Sequence, residues 1–501
     1  MKTRIYNKAA VALIALLVFT SCNDLFNVAD IKNNPNAPLA NQVDLKPLMT
    51  GTLVGLGSLH EDTDVRLAYM WGGQLAGQSR QHAGFQNYTV AASTFSWGNS
   101  NGGNYYNVGV NIRQIQSKSA VTNNKAFLGA AQVMEVLLFT KLITLWGDVP
   151  YTEAFDLVKF PTPKYDGQLA MYGTLVTLLN KAYANLTSGV GTISGDFVYS
   201  GSASKWARAA KSLQARLYLH LKDYPNAIAA GALGISSTGD DMLMPHGSAY
   251  QVDFNMNFDF FDYDRPGDTS FDAPAYLPVF MCTKFATGVV NQDVAVRNSK
   301  TDETGMYFHF FQYGAESANG RDPNTADGMF ISTAPQPWLT YYETQLIVAE
   351  AAARLNAGAA DPAAITALNN VRAGLETGYI NGQTSTYTPL VYTAYVAADF
   401  APAGIAFPTT IASVTTAQHA LIYEILSQKF VVTISQYEVF NDLRRTQTAT
   451  PVIKLPIPVT PGQAQFPARF IYPQNEINTN PNVPKTAGQV PNQFVKLPIF
   501  Q

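Results

Sequence analysis

The segment Asn124 to Trp146 constrains the fold most strongly. Phe127, Ala131, Met134, Leu138, Leu142 and Leu145 recur at steps of three and four, the spacing that gathers apolar groups on one side of an α-helix. Gly147-Asp148-Val149-Pro150 then ends the pattern, because glycine loosens and proline blocks the backbone a further turn would need. Similar spacing predicts helices over Gln168 to Leu186, Ser204 to Leu221, Pro225 to Leu233, Leu339 to Asn356, Pro362 to Leu375, Thr416 to Val432 and Gln436 to Arg445. Weaker patterns run from Leu45 to Leu59 and from Thr63 to Gly72. Adjacent members have the size of tetratricopeptide-like helix pairs, about 34 residues. They form no regular array, since a long stretch separates Leu233 from Leu339. A repeat unit buries its apolar face only against neighbours. The dispersed pairs must therefore gather into one helical layer, with the loops between them as a second, irregular layer on top. The expected class is all-α: tetratricopeptide-like pairs as scaffold, long irregular loops and at most minor β structure.

Composition fits that division. Only 14% of the 501 residues are charged, against about 25% in ordinary soluble chains, while 47% are hydrophobic and 26 are Tyr. That apolar content excludes wholesale disorder. A net charge of −3 lacks the basic face that nucleic-acid binding requires. Two cysteines, Cys22 and Cys282, exclude a disulfide scaffold and a multi-cysteine metal centre.

The N-terminus reads as an address. Lys2, Arg4 and Lys8 precede an apolar run from Ala9 to Phe19. The run is shorter than the ~20 residues of a membrane span but suits a signal peptide. It ends in Phe19-Thr20-Ser21-Cys22, which resembles a bacterial lipobox with Phe where Leu is usual. The expectation is that residues 1–21 are a lipoprotein signal peptide and Cys22 carries the lipid. Residues 22–44 would be a lipid-anchored Asn/Pro-rich tether. Residues 45–501 would form one helical domain with loop insertions at about 72–123, 234–336 and 377–415. Cys282, left without a partner, should be a buried and inert thiol.

Several motifs follow in order: Asp30 to Pro38, reading Asp-Ile-Lys-Asn-Asn-Pro-Asn-Ala-Pro; Lys141 to Pro150, ending Trp-Gly-Asp-Val-Pro, then Tyr151-Thr152-Glu153-Ala154; Lys205-Trp206 and Ser212 to Leu217; Tyr342-Glu343 and Ala349-Glu350-Ala351; Gln428-Lys429-Phe430; Asp442 to Thr446; and Pro467 to Pro473 with Glu476 and Asn480. In this order and spacing the chain resembles the SusD/RagB family, surface lipoproteins of Bacteroidetes nutrient-uptake systems, over nearly all of residues 22–501. The resemblance implies a mostly helical binding protein without chemistry of its own and without a cofactor. It implies a place on the outer membrane, held by the lipid on Cys22 and facing the exterior. There it would sit as a lid on a SusC-like TonB-dependent barrel, to which it delivers oligosaccharides or, in some members, peptides. The scaffold motifs transfer no ligand-binding residue.

The loops suggest where a sugar would bind. Sugars offer apolar C–H faces and a rim of hydroxyls, which amphipathic aromatic rings and neutral polar groups match. Residues 72–106 combine Trp and Tyr with many Gly, Asn, Gln and Ser. Trp71, Trp97, Tyr105 and Tyr106 are the expected stacking residues, and Gln78, Arg80 and Asn104 the expected polar contacts. The competing reading is that these rings pin loops to the helices. Asp253 to Tyr276 is a second aromatic loop, with six Asp.

Catalytic and metal patterns are weak. Ser202-Ala203-Ser204-Lys205 matches Ser-x-x-Lys, but Lys485-Thr486-Ala487-Gly488 is one residue away from the companion Lys-Thr-Gly. Ser204 reads more simply as a helix N-cap. Asp262 to Asp268 hints at a cation loop without its third acid or bidentate Glu. The six His have no ligand spacing, and Arg444-Arg445 at a helix end suit local pairing. No catalytic residue or metal ligand is therefore assigned. Three rivals to an oligosaccharide binder remain: the same role with peptide ligands, a helical scaffold that binds only protein, and a hydrolase.

Overall fold

A computed structural model of the chain describes residues 43–97, 105–284, 293–313, 321–380 and 391–501. The signal peptide, Cys22 and Asn104 lie outside these residues.

The helices run in the order α1 (Leu45–Glu61), α2 (Thr63–Trp71), α3 (Arg80–Gln86), α4 (Tyr105–Val121), α5 (Lys125–Leu145), α6 (Gln168–Leu186), α7 (Ala203–His220), α8 (Tyr224–Gly231), α9 (Thr304–Phe310), α10 (Tyr341–Leu355), α11 (Pro362–Thr377), α12 (Ala417–Val432) and α13 (Glu438–Arg445). The expected helices are present within about two residues at most ends. α5 lies between α4 and α6, α6 on α7, and the α7–α8 pair against α10, which also meets α11 and α12. Pairs far apart in sequence thus form the helical base. α5 is apolar on every side and long enough to cross a membrane, yet it is almost wholly buried as the central helix. The main apolar cluster runs from Leu48 to Phe500, with α5, α10 and α12 contributing heavily.

Local chemistry sets several helix ends. Asp62, Asn124, Asp223, Thr340, Asp361 and Thr416 each accept a backbone N–H in the first turn of the helix that follows, satisfying donors that have no partner within the helix. Ser204 does not cap α7; Ser202 does, accepting from the Lys205 amide, because the helix begins one residue earlier than expected. Gly147 follows α5 with φ +93°, a conformation that favours glycine.

The loop insertion expected at 72–123 is a correction. Its second half is α4, whose Val108, Ile112, Ile115 and Ser119 face inward. The Asn, Gly and Ser around them disguise the period. Between the helices run short antiparallel pairings: β1 (Ala76–Gly77) with β3 (Thr269–Ser270), β2 (Met242–Met244) with β8 (Gln336–Leu339), β5 (Thr301–Asp302) between β4 (Val296–Asn298) and β9 (Val391–Tyr392), and β6 (Phe311–Tyr313) with β7 (Arg321–Pro323). The β structure is minor, as expected. Cys282 is buried and free, and burial pushes its thiol pKa up, which keeps it protonated and unreactive.

Candidate ligand site

A cavity of about 230 Å³ opens where the start of α4 meets the end of α5 and the loop after it. Trp97, Tyr105 and Tyr106, three of the four expected stacking residues, line it together with Leu142, Phe155 and Glu476.

Each wall has an identifiable cause. Tyr105 is buried, edge-on to Trp146 at 6.0 Å, with the Lys141 ammonium 5.3 Å from its ring. Lys141 is itself held by Asp62 at 2.8 Å and by the Leu59 carbonyl. Beside them, burial and then the Asp62 charge push the Asp64 carboxyl up to about 8. Tyr106 is 38% exposed and rests against Phe155 at 6.2 Å. Phe155 adopts φ +68°, a costly backbone for an aromatic residue. Its ring lies over Gly109, where a Cβ would come within 2.0 Å of it. The bare backbone at Gly109 is thus what lets the loop settle on α4. Arg113 adds a guanidinium over Tyr151 at 4.9 Å and pairs with Glu135 at 2.6 Å.

Trp97 packs between Trp146, Tyr165 and Tyr472 at 5.8 to 6.2 Å. Its indole Nε1 is buried and has no hydrogen-bond partner among the described residues. Tyr165 links this ring to the acid: its hydroxyl donates to Glu476 Oε2 at 3.0 Å. Burial raises the pKa of Glu476.

Gln78 and Arg80 lie elsewhere, on the β1–β3 seam. Gln78 Nε2 donates to Ser270 Oγ at 2.9 Å. The half-exposed Arg80 pairs with Asp268 at 2.9 Å. The buried Asp268 carboxylate also accepts from Ser79 Oγ at 2.7 Å and contacts His82 Nδ1 at 3.1 Å. One carboxylate therefore fastens the first aromatic loop to the second.

Trp71 is a correction. It is only 1% exposed, donates Nε1–H to the Phe85 carbonyl at 2.9 Å, and meets Tyr88, Phe440 and Phe470 edge-on. An indole so enclosed is a core residue that anchors the loop. It contributes only part of one wall to a larger, mainly apolar cavity of about 330 Å³ beneath Ile457 to Pro461.

Glu476, Phe155 and Leu157 were not among the expected contacts. Glu476 stood in the sequence only as part of a C-terminal motif, and no local pattern announced that it reaches Tyr165. A further aromatic group, Tyr250, Phe254, Phe258 and Tyr263, packs ring to ring at 5.0 to 6.0 Å, with both tyrosines half-exposed. The density of rings in Asp253 to Tyr276 was its signal.

The sequence matches the family model for SusD-like proteins, described as "Starch-binding associating with outer membrane", over residues 36–473. No curated protein sequence matches the chain. Among solved structures, a SusD homolog from Bacteroides fragilis superimposes with a TM-score of 0.64 at 20% identity, covering 92% of this chain and 100% of the other. A SusD/RagB family protein from Bacteroides thetaiotaomicron gives 0.59 at 19% identity, covering 88% and 95%. A chitin-binding SusD homolog from Flavobacterium johnsoniae gives 0.58 at 16%, covering 90% and 99%. At these identities the structures speak for the fold, and the family model speaks for the lineage. Together they establish that this chain belongs to the SusD-like family of outer-membrane-associated, non-catalytic nutrient-binding proteins.

Proposed function

We propose that this protein is a lipid-anchored receptor on the cell surface that captures oligosaccharides and passes them to a SusC-like TonB-dependent barrel. The observation that carries the ligand class is the cavity at Tyr106. Aromatic faces and one carboxylate converge there in a chain whose family is described as starch-binding. The fold shared with a chitin-binding homolog supports the same class. The seam that displays Gln78 and Arg80 offers further hydroxyl partners. Titration calorimetry with neutral oligosaccharides tests the reading. Micromolar to millimolar binding that Tyr106→Ala weakens several-fold is expected, and no binding by any neutral glycan would overturn it.

A peptide ligand is the second reading, favoured by the apolar walls Phe139, Leu142, Phe155 and Leu157. Side-by-side titration with apolar peptides separates the two. Lipidation is tested by Cys22→Ser, which should move the protein from the membrane fraction to the soluble fraction. Co-purification of a large barrel under mild detergent tests the partner.

A further inference from the structure

Arg444 and Arg445, neighbours at the end of α13, are both buried, yet their charges are met differently. Arg445 has two carboxylates, Glu350 at 2.8 Å and Asp442 at 2.7 Å. Arg444 has only neutral acceptors among the described residues. Its Nε donates to the Phe440 carbonyl at 3.0 Å, Nη1 to the Ala468 carbonyl at 2.9 Å, and Nη2 to Asn441 Oδ1, which leaves hydrogens to spare on a group with five N–H donors. The rings of Phe440 and Phe500 pack on the guanidinium at 3.9 and 4.5 Å. Burial pulls its pKa down to about 9, against the influence of Tyr172 and Glu438, so at neutral pH it stays charged. Glu438 is itself engaged by His220 at 2.6 Å. A charge in a dry interior is normally paired; this one is met by dipoles and ring faces alone.

Arg444 keeps 5% of its surface exposed and lines a cleft of about 70 Å³ between α13 and the C-terminal segment. Lys496 stands on the same lining with the neutral side chains of Gln447, Thr448 and Gln465, and no carboxylate side chain belongs to it. Behind this wall Lys222 Nζ donates to Thr448 Oγ1 at 3.1 Å. The buried Arg469, bonded to the Phe470 and Trp146 carbonyls, lies close enough to oppose the Arg444 charge. Positive groups thus gather around a cleft without an acidic wall, in a chain whose net charge is −3. The space is far below the ~300–1,000 Å³ of pockets that enclose whole drug-sized ligands, and it suits one small group. We propose that this cleft binds a single oxyanion group, a carboxylate, sulfate or phosphate, with Arg444 as the principal donor and Lys496 as the second charge. A guanidinium offers N–H groups in a fixed fork that matches the oxygens of such an anion. A free inorganic ion and an acidic substituent on a sugar both carry this chemistry. The cleft shares no lining residue with the cavity at Tyr106, and the proposal stands apart from the oligosaccharide reading.

The test is calorimetric titration of the intact, purified protein at constant ionic strength, because added salt by itself screens charges. The probes are inorganic phosphate, sulfate and acetate, then glucuronate and glucose 6-phosphate, with glucose as the uncharged control. Saturable binding of at least one anion, about millimolar or tighter, is expected. Arg444→Gln should weaken it by about tenfold or more. Lys496→Glu, at an exposed position, should weaken it roughly three- to tenfold. Lys181→Glu makes the same charge reversal at an exposed position of α6, outside the cleft, and should leave it unchanged. Tighter binding of glucuronate or glucose 6-phosphate than of the inorganic ions supports a sugar-borne anion, and the reverse order supports a free ion. Failure of every anion to saturate, unchanged binding in Lys496→Glu, or an equal loss in Lys181→Glu would each overturn the site. Lys496→Glu decides the matter even where Arg444→Gln folds poorly.

Discussion

In the helical base, distant helices are joined by buried charges. Arg445 pairs with Glu350 at 2.8 Å and with Asp442 at 2.7 Å, Arg216 with Glu343 at 2.5 Å, and Lys141 with Asp62 at 2.8 Å. In the loop layer the ties are mostly ring edges, such as Phe271 against Phe311 at 4.7 Å, together with two-residue strand pairs and single carboxylates such as Asp268. Where the layers meet, a charge returns: Arg297 bridges Glu303 of the loop side and Glu424 of α12. The contrast has a physical logic. A buried ion pair is costly to break singly, because the surviving charge loses its partner in a dry interior. It therefore fixes the register of the base. Ring contacts are adaptable in angle and distance, so the loops can vary without disturbing what lies beneath.

The largest expected effect is in the base. Glu350→Ala leaves Arg445 and Arg354 buried around a missing carboxylate and should cost about 3–5 kcal/mol in urea unfolding. A loss below 1 kcal/mol would break the contrast between the layers.

Next come two histidines, one on each side. His60 of α1 lies 5.1 Å from the Trp338 ring, and burial holds its pKa down at about 3. His309 of α9 lies 6.1 Å from the Tyr379 ring and is held at about 4, again by burial. Both folded values lie below the ordinary 6.5, so the unfolded chain takes up the proton first. Their contribution is constant above pH 6.5 and declines as pH falls toward 4 or 3. At pH 5 each should account for about 2 kcal/mol of lost stability. His60→Phe and His309→Phe should each flatten the change in unfolding free energy between pH 7 and pH 5 by that amount. The comparison of variant with parent matters, because Asp64, with its pKa pushed up to about 8, acts in the opposite sense.

Asp268→Ala should cost about 1–3 kcal/mol and act locally. Amides of residues 76–90 should exchange faster, while those of α5 and α10 keep their protection. Faster exchange across α5 would show that the loops do support the base. Smallest of all, Tyr106→Ala should change stability by less than about 0.5 kcal/mol while weakening glycan affinity, which sharpens the distinction between packing and display.

Much of the base was legible in sequence. A helix buried on one side repeats its apolar residues every three or four positions, and α6 and α7 follow that rule, whereas α12 is buried nearly all round and reads as a continuous apolar run. α4 escaped because its few inward apolar residues are spread among Asn, Gly and Ser. The loops were legible only as composition. Trp71 and Tyr106 looked alike as candidates, yet one is 1% and the other 38% exposed; which ring is covered depends on Phe440 and Phe470, far away in sequence. Arg445 was read as locally paired. It does meet Asp442, but its stronger constraint comes from Glu350, on a different helix. Periodicity reports which face of an element is buried and carries no information about what covers it.

The seat of Phe155 over Gly109 has a wider consequence. The width of the cavity mouth depends on a position outside the cavity lining that contributes no side chain at all. A single methyl at 109 would displace the ring and with it the rim that Tyr106 leans on. One small substitution, set one layer behind the surface, would therefore reshape this cavity while every residue that lines it keeps its identity.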